Sequence, residues 1–145
     1  MSKNSILRKV TRSIVTLMFF AMLFGCNTSG PSIIADQYAA ILEIDFPDEL
    51  VHGETYFVPV KVSTPTTCHT FKVFEEIIRE QEYRVTAMVV YQETGNCELT
   101  LETPYETDFE FKVEREDRYE FLFFRGFNED DEPQYFRFNR DVIMP

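Results

Sequence analysis

The strongest constraint on this chain is a hydrophobic alternation of period two that runs through much of its length. Tyr83, Val85, Ala87, Val89 and Tyr91 occupy every other position; Phe109, Phe111 and Val113 do the same against Asp108, Glu110, Lys112 and Glu114. Successive side chains of a strand point to opposite faces, so this pattern describes strands with one face buried and the other in water, whereas a helix needs a period near 3.6. The run 119–124 is apolar on nearly both faces, which predicts a strand in the middle of a sheet.

The same alternation continues on either side. Leu42, Ile44 and Phe46 alternate with Glu43 and Asp45 up to Pro47, and Tyr56, Val58, Val60 and Val62 share a face. Pro59 cannot donate to a ladder, so its nitrogen is expected at an edge or a bulge. A third strand is expected from Cys68 to Phe74. Val73 with Ile77 and Phe74 with Ile78 are also spaced for a helix face, and the stretch 72–82 reads as strand followed by a turn or one helical turn. Leu99 and Leu101 extend the pattern to Pro104, and a last strand, about 135–142, follows the acidic loop 128–133. Seven or eight short strands at close intervals are the pattern of a β-sandwich.

Before this region the chain changes character. Lys3, Arg8, Lys9 and Arg12 stand without an acidic residue ahead of an apolar stretch, 14–24, and small Gly25, which is the three-part form of a secretory signal. A bilayer-spanning helix needs about 20 apolar residues, so the stretch is too short for a permanent span. Leu23-Phe24-Gly25-Cys26 resembles the lipobox of bacterial lipoprotein signal peptides. That resemblance implies a diacylglyceryl group on the Cys26 thiol, cleavage just before it and acylation of the new amino group; the alternative is an ordinary signal in which Cys26 is incidental. Two or three acyl chains hold a protein at a membrane stably where one does not. Asn27, in place of the aspartate that retains some lipoproteins at the inner membrane, points to the outer membrane. The expected organisation is a signal peptide over 1–25, a lipidated cysteine and polar tether over 26–38, and one β domain over 39–145.

The chain carries a net charge of −11, and residues 26–145 alone hold ten basic against 25 acidic residues. Such a balance repels phosphate backbones, so nucleic acid is excluded as an expected partner. An acidic surface keeps a domain soluble and attracts cations or basic partners. Cys68 and Cys97 remain after Cys26 is assigned to lipid, and in an oxidising compartment they are expected to form a disulfide. A metal site and two free thiols are the competing readings. His69 sits beside Cys68, but Cys97 stands alone and His52 is far back in the chain, which is not zinc-ligand spacing.

Asp117-Arg118-Tyr119-Glu120-Phe121 resembles the stretch of immunoglobulin-like domains where a tyrosine, two residues before a core position, folds its hydroxyl back onto the preceding corner. Antibody domains place a cysteine at that core position; here it is Phe121, and the chain has no tryptophan. The resemblance covers about 39–142 and implies an immunoglobulin-like antiparallel β-sandwich. The wider layout, with Thr66-Thr67-Cys68-His69, then Asn96-Cys97, then a Tyr-Glu-Phe strand, is similar to small bacterial lipoproteins of no established role.

Nucleophilic catalysis needs a base oriented beside a Ser, Cys or Thr, and His52 and His69 are the only imidazoles. Neither is expected to act. Paired carboxylates are abundant enough to arise by chance, so they do not by themselves indicate a glycosidase-like centre. The loop 128–132 concentrates oxygen ligands without the spacing of a calcium loop, and reads as a hydrated hairpin tip or a calcium site. Phe121, Phe123, Phe136 and Phe138 are expected in the core. Phe124, Phe127 and Tyr135 are expected either there or in an exposed patch for a glycan or a protein edge. The expected function is that of a non-enzymatic, lipid-anchored cell-envelope protein, a binding or accessory module with no cofactor, whose partners are the membrane and an envelope protein or glycan. A structural subunit of an envelope assembly, or a carboxylate-based hydrolase, is the alternative.

Overall fold

A computed structural model of the protein describes residues 34–93, 95–100 and 103–145; the leader, Cys26 and Leu101 lie outside these. Ten strands and no helix make up the described residues: β1 (Ile34–Ala39), β2 (Ile41–Ile44), β3 (Leu50–Val51), β4 (Thr55–Val62), β5 (His69–Arg79), β6 (Glu82–Gln92), β7 (Tyr105–Lys112), β8 (Tyr119–Phe127), β9 (Pro133–Arg140) and β10 (Val142–Ile143). The fold is all-β. The first strand starts at Ile34, inside the stretch 26–38 expected to be a tether.

Two sheets share one core. The larger holds β5, β6, β8 and β9 in order, with β1 also on β6; the smaller runs β2-β4-β7, and β3 and β10 form a short pair of their own. One edge of β6 serves two neighbours: Ala87–Gln92 pair with β1 and Glu82–Val85 with β8. Val58, Val60 and Val62 of β4, Phe109 and Phe111 of β7, Val85 and Val89 of β6, and Phe121 and Phe123 of β8 meet between the sheets. The alternation read from the sequence supplies these residues, and Phe121 stands in ring contact with Phe46, Phe111 and Tyr119. Core filling by phenylalanine replaces the absent tryptophan.

Expectation and structure part at four further places. The pairing is not wholly antiparallel: β6 runs parallel to β8, and β3 parallel to β10. Between β6 and β8 the chain crosses to the other sheet as β7 and returns, and a parallel pair needs such a crossover; side-chain alternation carries no record of strand direction. In β2 a bulge between Ile41 and Glu43 shifts the phase, so Ile41 is buried and Leu42 exposed. The stretch 75–79 is strand, not a helical turn, and pairs with β6 to the tip of a two-residue hairpin. Residues four apart share a face in a strand as well as in a helix, so the spacing of Val73 with Ile77 could not separate the two. Leu99 lies in an isolated bridge to Thr66 with its side chain exposed, rather than in a strand.

Pro59 sits where its chemistry requires. Its carbonyl accepts from the Asp45 amide at 3.1 Å, so its nitrogen also points toward β2, past the end of that strand, and no ladder bond to β7 is lost. Tyr119 ties the β7–β8 corner: its hydroxyl accepts from the Glu114 amide at 3.1 Å and the Arg115 amide at 3.0 Å. Two otherwise unpaired donors are satisfied by one buried side chain.

Candidate functional site

Strand parity separates each sheet into an inner and an outer face, and the outer face of the larger sheet is unusual. Phe121 and Phe123 of β8 point into the core, so Leu122 and Phe124 point outward, yet they are 2% and 5% exposed. Phe124 is covered by rings on its own face. Its centroid lies 5.1 Å from that of Phe127 and 6.1 Å from that of Tyr135. Phe127 joins this face only because a bulge between Phe124 and Gly126 shifts the register, Gly126 adopting φ 112°; without it, a residue three positions on would face the core.

The same face continues across the sheet. Leu122 aligns with Arg84 of β6, and Arg84 with Ile77 of β5; Met88 aligns with Tyr38 on one side and Val73 on the other. Tyr38 is 60% and Phe127 61% exposed. Three ion pairs lie on this face: Arg84 pairs with Glu82 at 2.6 Å, Lys72 with Asp36 at 2.6 Å and Arg137 with Glu120 at 3.5 Å. The Arg84 guanidinium also sits 5.9 Å over the Tyr135 ring. The result is a largely apolar, aromatic surface crossed by three ion pairs. Sequence reasoning grouped Phe124, Phe127 and Tyr135 but missed Tyr38, Val73 and Ile77, because facing relations between β1, β5 and β6 are set by pairing rather than by local pattern.

The outer face of the smaller sheet is acidic. Glu43, Asp45, Glu106 and Asp108 line a cleft of about 320 Å³ with Pro59 and Lys61. Lys61 pairs with Glu43 at 2.6 Å, and that contact raises the lysine's pKa above its usual value. No ion pair joins Asp45, Glu106, Asp108 or Glu110 among the described residues.

Cys68 and Cys97 are joined in a disulfide with their Cα atoms 5.3 Å apart. It fastens the start of β5 to the segment after β6, where the Thr67 amide donates to the Glu98 carbonyl and the Thr100 amide to the Pro65 carbonyl. His69 faces Thr66 Oγ1 through Nδ1 at 2.8 Å and packs its ring 5.1 Å from Tyr91. His52 lies in the turn between β3 and β4, so the fold keeps the two imidazoles on separate elements. In the acidic loop the Asn128 side-chain oxygen accepts from the amides of Asp130 and Glu132, closing the β8–β9 hairpin tip. No cluster of His, Cys, Asp and Glu suited to a metal occurs among the described residues.

Where titration is perturbed, it holds groups in their ordinary state at neutral pH. Burial, reinforced by donation to the Glu76 carboxylate, pushes the Tyr83 hydroxyl well above the usual tyrosine range. The Arg115 guanidinium, at 2.7 Å on both Asp117 oxygens, holds that carboxyl below its usual value. Taken together, the residues define an all-β, disulfide-bridged domain with one aromatic and one acidic outer face. Comparison with known proteins adds no relative: no family model, curated protein or solved structure matches the chain.

Proposed function

We propose that the protein is a non-enzymatic, lipid-anchored module of the bacterial cell envelope, and that the outer face of the larger sheet is the surface on which it receives a partner. The observation that carries this reading is the exposed aromatic and aliphatic surface around Phe127, Tyr38 and Ile77. A monomer gains nothing from exposing such groups together, whereas a binding surface requires an apolar centre with a polar rim. The lipobox-like segment ending at Cys26 supplies the anchor, and the disulfide is in keeping with an oxidising compartment. The outer membrane is the expected site, and an envelope protein or glycan the expected partner.

The fold is read as a variant of the immunoglobulin-like sandwich. The corner tyrosine with its back-folded hydroxyl and the packing of β2-β4-β7 against β8 and β9 support that reading. The parallel β6–β8 pair is where the variant departs from two antiparallel sheets.

Detergent-phase partitioning tests the anchor, and crosslinking in intact envelopes tests the face. Cys26→Ser should move the protein to the aqueous phase. Phe127→Asp should abolish crosslinks from a probe placed at Tyr38 while leaving partitioning unchanged. Partitioning that ignores the cysteine change would remove the anchor, and crosslinks that ignore the aspartate would remove the face.

A further inference from the structure

The smaller sheet has three strands and packs on a sheet of five, and the mismatch leaves a position open. Among the described residues β7 pairs with β4 alone. Tyr105 and Phe109 reach β5 through ring contacts with Phe71 at 5.3 Å and Phe74 at 5.4 Å. Beyond them the inward face of β5 runs on uncovered: Ile78, on the same side as Phe74, is 59% exposed. A cleft of about 260 Å³ lies at that end, lined by Ile78, Tyr83, Lys112 and Arg115 among others. The groove therefore has a floor on which Phe74 and Ile78 flank Glu76, whose carboxylate accepts from the Tyr83 hydroxyl, and a wall made of β7 backbone.

The register fixes which backbone groups form the wall. Pro59 stands opposite Asp108, and its carbonyl is turned to Asp45 on the β2 side. Pro59 and Asp108 are thus a non-hydrogen-bonded pair, and the N–H and C=O of Asp108 point away from β4. By alternation, so do those of Glu106 and Glu110. Backbone without a partner among the described residues and an exposed carboxylate coincide at three alternate residues, over roughly 14 Å of strand.

We infer that β7 is the docking edge for an extended segment of a partner protein in which Lys or Arg alternates with apolar residues. Residues opposite each other on neighbouring strands share a face, so basic side chains of the added strand meet Glu106, Asp108 and Glu110. Its alternate apolar side chains turn down onto Phe74 and Ile78. Main-chain hydrogen bonds supply affinity and the alternation supplies selection, as in other strand additions. Charge disfavours a second copy of this chain in the register centred on Asp108, since an antiparallel β7–β7 pair there would set Asp108 against itself and Glu106 against Glu110. The inference deepens the binding-module reading by naming a class of partner. It shares no residue with the aromatic face, and either can fail alone.

The probe is a synthetic peptide of Lys alternating with Val and Ile, compared with its Glu-for-Lys counterpart, titrated into the full chain with amide exchange as the readout. The basic peptide should bind and protect the amides of Glu106, Asp108 and Glu110, more weakly at high salt; the acidic one should not. Asp108→Asn removes a charge and keeps the N–H; Asp108→Pro removes both without touching the β4 ladder, and should bind about five- to tenfold more weakly than the Asn variant. An unchanged melting midpoint in both variants shows that the fold is intact. Protection elsewhere, equal binding of the two peptides, equal affinity of the Pro and Asn variants, or self-association protecting the same three amides would each overturn the inference.

Discussion

The two outer faces of this molecule were built from the same alternating pattern and came out opposite in character. On the larger sheet the outward positions carry Tyr38, Ile77, Leu122, Phe124 and Phe127, with three ion pairs among them. On the smaller sheet they carry Glu43, Glu106, Asp108 and Glu110, with Lys61 the counterion to Glu43. Most of the net charge problem is thus kept off one surface. The lesson is that a strand's polar side is not always its free side: β8, apolar on both faces, needs cover from Phe127 and Tyr135 where β7 needs only water.

The comparison rests on one shared core, and the largest effect should come from breaking it. Phe121→Ala, at a fully buried ring, is expected to cost about 3–5 kcal/mol, and urea unfolding should show both faces lost in one transition. Separate transitions for a probe on β7 and a probe on β9 would mean that the sheets are independent units. A smaller effect should separate the faces themselves. Phe127→Asp and Phe57→Asp replace exposed rings, 61% and 62% accessible, on the aromatic and the acidic face respectively; the first also uncovers Phe124 and should cost about 1–2 kcal/mol, the second no more than about 0.5 kcal/mol. Retention on a hydrophobic column should fall clearly for Phe127→Asp and little for Phe57→Asp, where one ring stands among carboxylates.

The smallest effect concerns the corner that joins the sheets. Asp117 is held below its usual pKa by Arg115, so its contribution to stability is present above the unfolded aspartate value of about 3.9 and is lost as pH falls through the lower folded value. Asp117→Asn should melt slightly below the wild type near neutral pH, and the gap should close in acid. A gap that persists or widens at low pH would remove the ion pair as its cause. The pair stands at the surface, half accessible at Asp117, so the gap is expected to shrink with salt.

Much of this was legible in the chain. Alternation named the inward residues of β4, β6 and β7 and the two-sided burial of β8, because side-chain direction in a strand is a local property. The tyrosine at the β7–β8 corner and the pairing of Cys68 with Cys97 were also readable from residue type and order. Three features were not. Strand direction at β6–β8 depends on where the chain goes between them; the bulges in β2 and β8 depend on fitting a partner; and the extended state of 75–79 depends on β6 lying alongside. Of the candidate site, Phe124, Phe127 and Tyr135 could be named, but Tyr38, Val73 and Ile77 joined them only through pairing.

The sequence alone determined that the domain is β, which residues fill it, and that it is strongly acidic, since these follow from period, volume and charge count. The tertiary structure decided that a row of acids would line the outer face of the smaller sheet, that rings would spread across the larger one, and that β7 would pair with β4 alone among the described residues. Those outcomes depend on which strands become neighbours, and strand neighbourship is settled by contacts between residues far apart in the chain.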